Sequence, residues 1–131
     1  MKVLVLSGTK FETKEIENTL EELQNIVGGY IEIPMMSKKF YECDIDMIIN
    51  EEGKLIEDMN PEIAVVKRST GDLLDVVMGN IIFASHDTEG NTIALNEEQI
   101  DIVKKELSSK AFLNNSNENE IAIAPVRVLY I

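Results

Sequence analysis

Apolar residues change period along this chain, and that switching limits the folds open to it. Ile16, Leu20, Leu23, Ile26 and Val27 recur at helical spacing, as do Ile100, Val103 and Leu107. The segments Lys2–Leu6, Tyr30–Ile33, Asp44–Ile49, Leu73–Val77, Ile81–Ala84 and Thr92–Leu95 are instead short β-prone runs. Ile63–Val66 fits either period. The pattern predicts an α+β domain with a mixed or antiparallel sheet, two main helices over about 13–28 and 97–110, and a C-terminal strand. Coiled coil and disorder both fit poorly.

Local signals mark the ends of these elements. Thr13 reads as a helix cap, with Glu15 and Glu17 at the positive helix start and Gly28-Gly29 as the stop. Asn96 and Gln99 have the spacing of a capping box before the second helix. Gly79 suggests a bulge or close packing, Asn50-Glu51-Glu52-Gly53 reads as a hairpin turn, and Glu89-Gly90-Asn91 turns between two strands. Asn114–Asn119 reads as a polar loop before the apolar stretch Ile121–Ile131, which Pro125 should divide at a ladder break or edge.

With 131 residues, 44% of them hydrophobic, the chain suits one domain over 1–131. Four Phe, three Tyr and no Trp leave the core to Ile, Leu, Val and Met. A formal charge of −12 repels nucleic-acid phosphate, so direct nucleic-acid binding is not expected. No apolar stretch reaches membrane-spanning length, and the opening run is too short for a signal peptide. Cys43, the single cysteine, cannot form an internal disulfide, which points to a cytoplasmic location.

Two polar clusters are candidates for chemistry. Lys67-Arg68-Ser69-Thr70-Gly71 is the one sharply basic stretch followed by hydroxyls and glycine, a combination that can hold phosphate. It lacks P-loop spacing, and Lys38-Lys39 could join it in space. Asn50 through Lys54 puts an amide, two carboxylates and an amine in one turn, which could clamp a polar ligand; Glu51 and Glu52 point oppositely in extended backbone and make no paired acid/base site. The expected ligand-binding residues are therefore Lys67, Arg68, Ser69, Thr70, Asn50 and Lys54. His86, near Asp87 and Glu89, lacks a second His or Cys and reads as a turn residue, so no metal or other cofactor is expected. Cys43 reads as a packed residue with no activating His, and no catalytic set is recognised.

The segments Leu20–Glu32, Asn50–Leu55, Asn60, Asp75–Asn80 and Leu95–Ile100 together carry a resemblance. With the LQ-x-x-VGGYIE and NEEGKL patterns the chain resembles a small family of phages and bacterial mobile elements, domain of unknown function "thirty-eight forty-six", over roughly residues 1–107. Gly79-Asn80 departs from the family's usual Gly-Thr, and the terminal strand after Ser116 is specific to this chain. The phage setting implied by the resemblance, joined to the basic stretch, suggests a non-enzymatic anti-defence protein in the host cytoplasm. It would sequester a small anionic, nucleotide-derived signal. The alternative is an acidic inhibitor of a basic host protein, imitating DNA charge: residues 42–62 hold eight carboxylates against Lys54. An unrecognised hydrolase is a third, weaker reading. The apolar tail must pair, either beside Lys2–Leu6 or on a neighbouring subunit, and a homo-oligomer, most simply a dimer, is expected.

Overall fold

The computed structural model describes residues 1–117 and 120–131. Strand β1 (Lys2–Ser7) turns through Gly8 and Thr9 into β2 (Lys10–Glu15). Both turn residues have positive φ, 58° and 63°, the requirement of a two-residue hairpin loop whose twist matches its strands. The first helix therefore starts later than the apolar spacing predicts. Helix α1 is Leu20–Val27, capped by Thr19, whose Oγ1 accepts from the Glu22 amide at 3.2 Å, and not by Thr13. Ile16, which matches the helical period, instead leaves β2 with its amide on the Met1 carbonyl at 2.9 Å. A strand at a sheet edge needs few apolar residues, so Lys10–Glu15 carried no hydrophobic signal beyond Phe11.

After β3 (Ile31–Glu32), helix α2 (Lys38–Glu42) forms one short turn capped by Ser37. Five residues are too few to display a helical period, and the sequence did not announce it. Its Phe40 is buried edge-on to Phe83, with ring centroids 5.9 Å apart. Strand β4 (Ile45–Asn50) leads through a 3-10 turn at Gly53–Leu55 to β5 (Pro61–Val66), which settles the ambiguous apolar run as a strand. Strands β6 (Leu73–Met78), β7 (Ile81–His86) and β8 (Thr92–Ile93) follow, then α3 (Glu97–Glu106) with the Asn96–Gln99 capping box present. Strands β9 (Lys110–Asn117) and β10 (Glu120–Tyr130) close the chain.

Among the described residues these strands make two sheets. The first, in order β2-β1-β7-β4-β3 with β8 also on β7, is antiparallel throughout; the second, β6-β5-β10-β9, is parallel only between β5 and β10. The Asn50–Lys54 turn is thus no hairpin, because β4 and β5 belong to different sheets. Val3, Val5, Ile48, Ile82 and Ala84 of the first sheet pack with Leu23 and Val27 of α1. Their neighbours Leu4, Leu6, Met47, Ile81 and Phe83 share the main core with Ile63, Val65, Val77 and Leu129 of the second sheet, with Ile100 and Val103 of α3 and with Leu107 at its C-cap. Burial on both faces is why β1, β4 and β7 read as nearly continuous apolar runs.

The tail does not lie beside Lys2–Leu6, since β2 and β7 already occupy both edges of β1. Arg127–Tyr130 pairs in parallel with Ile63–Val66 of the same chain, and Val126, Val128 and Leu129 are buried. Asn114–Asn117, expected in a loop, belong to β9, where pairing with β10 satisfies their backbone despite polar side chains; Glu118 and Asn119 of that expected loop lie outside the described residues. The ladder with β9 runs unbroken through Pro125, opposite Phe112. Pairing with β5 begins only at Arg127, so Pro125 marks the start of that second ladder and does not divide the strand. Among the described residues no helix is long and apolar enough to cross a membrane.

Candidate functional site

The basic stretch leaves β5 and reverses into β6. In that reversal the Lys67 amide donates to the Asp72 carbonyl at 2.8 Å, and the amide of Gly71, at φ 76°, returns to the Lys67 carbonyl at 2.7 Å. The end of β10 runs alongside: the Ile131 amide donates to the Val66 carbonyl at 2.9 Å, and the Arg68 amide donates to the Ile131 carbonyl at 2.8 Å. The Arg68 guanidinium lies 5.4 Å from the Tyr130 ring centroid, a cation–π arrangement. Two sequence-remote segments, the β5–β6 reversal and the end of β10, thereby hold Lys67 and Arg68 at one wall of an open groove of about 760 Å³.

Helix α2 contributes Lys38 and Lys39 to the same groove, and Glu42, Glu106, Met36 and Leu74 complete much of its lining. Lys38 pairs with Glu42 at 3.7 Å. Among the described residues Lys39, Lys67 and Arg68 have no carboxylate within ion-pair distance, and the half-buried Glu106 has no cationic group within it. A locally cationic groove therefore sits on a chain of net charge −12. Holding like charges together costs Coulomb energy in the empty protein, and an anion bound among them recovers it.

The other expected ligand residues lie elsewhere. Ser69 and Thr70 do not line the groove; Thr70 Oγ1 donates to Asp72 Oδ2 at 2.9 Å, and the Thr70 amide is used on Lys67 at 3.3 Å. Asn50 and Lys54 line a separate depression of about 380 Å³. Lys54 is ion-paired with Asp75. Asn50 is buried, and its amide is consumed by the fold: Nδ2 donates to the Val27 carbonyl at 3.2 Å, and Oδ1 accepts from the Glu52 amide at 2.8 Å.

Asn80 acts in the same way, donating from Nδ2 to the Ile26 carbonyl at 3.1 Å. The last carbonyls of a helix lack intrahelical partners, so these two amides cap the C-terminus of α1 from two distant strand ends. Close approach is possible because the chain there is glycine: a Cβ on Gly29 would stand 2.9 Å from Asn50 Nδ2. Three of the segments that carry the family resemblance, Leu20–Glu32, Asn50–Leu55 and Asp75–Asn80, thus meet around the end of α1, where their amides and glycines do structural work.

One buried and one half-buried charged group carry no mark in the sequence. Glu62 is 2% exposed, and its carboxylate accepts from the Gly8 and Thr9 amides at 3.0 and 2.8 Å. Burial raises its pKa above the usual carboxylate value, against the downward pull of those amides and of Arg127. Arg127 donates from Nε to the Thr9 carbonyl at 2.9 Å and from Nη1 to the Leu107 carbonyl at 2.8 Å, with its guanidinium over the Phe11 ring. Burial lowers the Arg127 pKa and the Glu62 charge raises it. This pair ties the tail to the β1–β2 turn. Nothing in sequence distinguished Glu62 from the rest of the acidic run.

That run is also not one surface. Glu62 is internal, and Asp46 faces His86, with Oδ2 3.0 Å from Nδ1. His86 closes β7 and is not a turn residue; the turn is organised by Asp87, whose Oδ1 accepts from the Glu89 and Asn91 amides. Those bonds, chiefly from Asn91, lower the Asp87 pKa. Cys43 is half-buried against the main core, as a packed residue would be.

The family described as Domain of unknown function (DUF3846) matches residues 1–108. The chain belongs to that family. The match ends just past α3, so the β9–β10 hairpin lies beyond it, and with it Tyr130 and Ile131 in the groove wall. No curated protein and no solved structure matches the chain.

Proposed function

We propose that this DUF3846 protein is a non-enzymatic binder that takes a small anionic, nucleotide-derived ligand into the groove between α2 and the β5–β6 turn. In the phage setting its family resemblance implies, it would sequester such a signal from host defence. The observation that carries this reading is the convergence of Lys39, Lys67 and Arg68 in one groove without carboxylate partners among the described residues. The overall charge of −12 is no obstacle, because screening confines its repulsion to about 8–10 Å at physiological salt. Ser69, Thr70, Asn50 and Lys54 have no part in the binding as proposed.

The test is calorimetric titration with a nucleoside diphosphate across salt concentrations. Binding should weaken with added salt, and the double substitution Lys67→Ala, Arg68→Ala should lower affinity by about 1.5–3 kcal/mol per charge-assisted hydrogen bond lost while the circular dichroism spectrum stays unchanged. Unchanged affinity in the double variant would remove the groove from the reading.

A homo-oligomer, most simply a two-fold dimer, is a further part of the proposal. Its support is now β9, which among the described residues pairs on one side only and carries Phe112, 76% exposed. Light scattering of Phe112→Asp should report a lower mass than the parent; equal masses would discard that edge as the interface.

A further inference from the structure

Two carboxylates line the groove, and Glu42 is paired with Lys38, which leaves Glu106 as the one that a purely anionic ligand would avoid. Glu106, at the last turn of α3, is half-buried in the groove lining, and among the described residues it has neither an ion pair nor a hydrogen bond to its side chain. It lies beyond ion-pair distance of Lys39, Lys67 and Arg68, so the groove has separate cationic and carboxylate parts and is not one neutralised cluster. An inorganic polyphosphate would gain from the first part and be repelled by the second. A ligand with phosphates at one end and neutral N–H donors at the other satisfies both.

We propose that the ligand is a guanine nucleotide whose phosphates lie among Lys39, Lys67 and Arg68 and whose base donates to the Glu106 carboxylate. This rests on the anion-binding reading of the groove and adds the identity of the base. A carboxylate accepts best from two parallel N–H donors, the arrangement an arginine offers. Guanine presents such a pair, N1–H beside the 2-amino group. Adenine offers its amino group next to an N1 lone pair that would face the carboxylate, and uracil has a single N–H between two carbonyls. Met36 and Leu74 supply apolar surface for the faces of a base, and about 760 Å³ lies within the range of small-molecule sites, roughly 300–1,000 Å³.

Calorimetric titration of the full chain with guanosine diphosphate, inosine diphosphate, adenosine diphosphate and inorganic pyrophosphate tests the assignment. Guanosine diphosphate should bind about tenfold or more tighter than the other three, inosine losing affinity because it lacks the 2-amino donor. Glu106→Gln should erase that preference and leave pyrophosphate affinity equal or improved. Equal binding of guanosine and inosine diphosphates by the unaltered protein would overturn the base assignment without any substitution being made, and so would a guanine preference that survives Glu106→Gln. In both cases salt-sensitive binding lost with Lys67→Ala, Arg68→Ala would leave the anion groove standing. No binding of any of the four would overturn both.

Discussion

Asn50 separates a structural from a ligand-binding role most sharply. Its side chain links the end of β4 to the last turn of α1 through two hydrogen bonds, from Nδ2 to the Val27 carbonyl and from the Glu52 amide to Oδ1. Asn50→Ala removes both, at about 1 kcal/mol each. The two orphaned groups then fare differently. Glu52 is exposed, so its amide regains water; Val27 is 1% exposed, so its carbonyl stays dry and adds a desolvation cost of about 1–3 kcal/mol. The sum is about 3–5 kcal/mol, a large share of the roughly 5–15 kcal/mol stability of a typical domain, and corresponds to a melting temperature lower by about 10–20 °C. Asn50→Asp keeps the bond from Glu52 but sets a carboxylate against the Val27 carbonyl, so at neutral pH it should be at least as damaging. Urea denaturation followed by far-ultraviolet circular dichroism measures both. The folded fraction of Asn50→Ala should bind nucleoside diphosphate as the parent does. A loss below about 1 kcal/mol, or abolished binding at unchanged stability, would refute the structural assignment.

Three further outcomes follow from the packing. Glu62 has a folded pKa above its unfolded value of about 4.5, so between those two values the native state holds the extra proton and stability falls as pH rises; the advantage of the parent over Glu62→Gln should therefore shrink as pH is raised from about 4.5 in urea titrations, and a difference that grows with pH would contradict the burial argument. Gly79 has φ 82°, and a Cβ there would meet Met59 Sδ at 2.7 Å, so Gly79→Ala should cost about 2 kcal/mol, with a thermal melt unchanged within error as the refuting result. Truncation after Asn115 removes the fully buried Val126 and Leu129 and the strand beside β5, so the product should be unfolded by circular dichroism; a folded product would show that β10 does not complete the core.

What the chain shows locally is what local chemistry controls. The capping box at Asn96, the β-prone runs that form β1, β4 and β7 and the α+β class follow from side-chain period and short-range hydrogen bonding, and each is present. The start of the first helix was misplaced because Ile16 falls by coincidence on the helical period, whereas the pairing of β2 with β1 depends on a partner strand and a two-residue turn. The basic stretch at Lys67 was legible, and so was the chance that Lys38-Lys39 would meet it; Glu106 was not, because a carboxylate on an ordinary helix turn has no local mark. Asn50 looked like a ligand residue for the converse reason: turn chemistry is visible in sequence, while the helix end that consumes its amide lies 23 residues away. Glu62 and Arg127 are farther removed from local reading, since the burial of Glu62 and the hydrogen bonds of both exist only once β5, β10 and the β1–β2 turn have been brought together. Period and capping act over a few residues of backbone, so sequence alone determined them. Burial, the pairing of remote charges and the fate of each polar side chain depend on contacts between distant segments, and only the tertiary structure decided those.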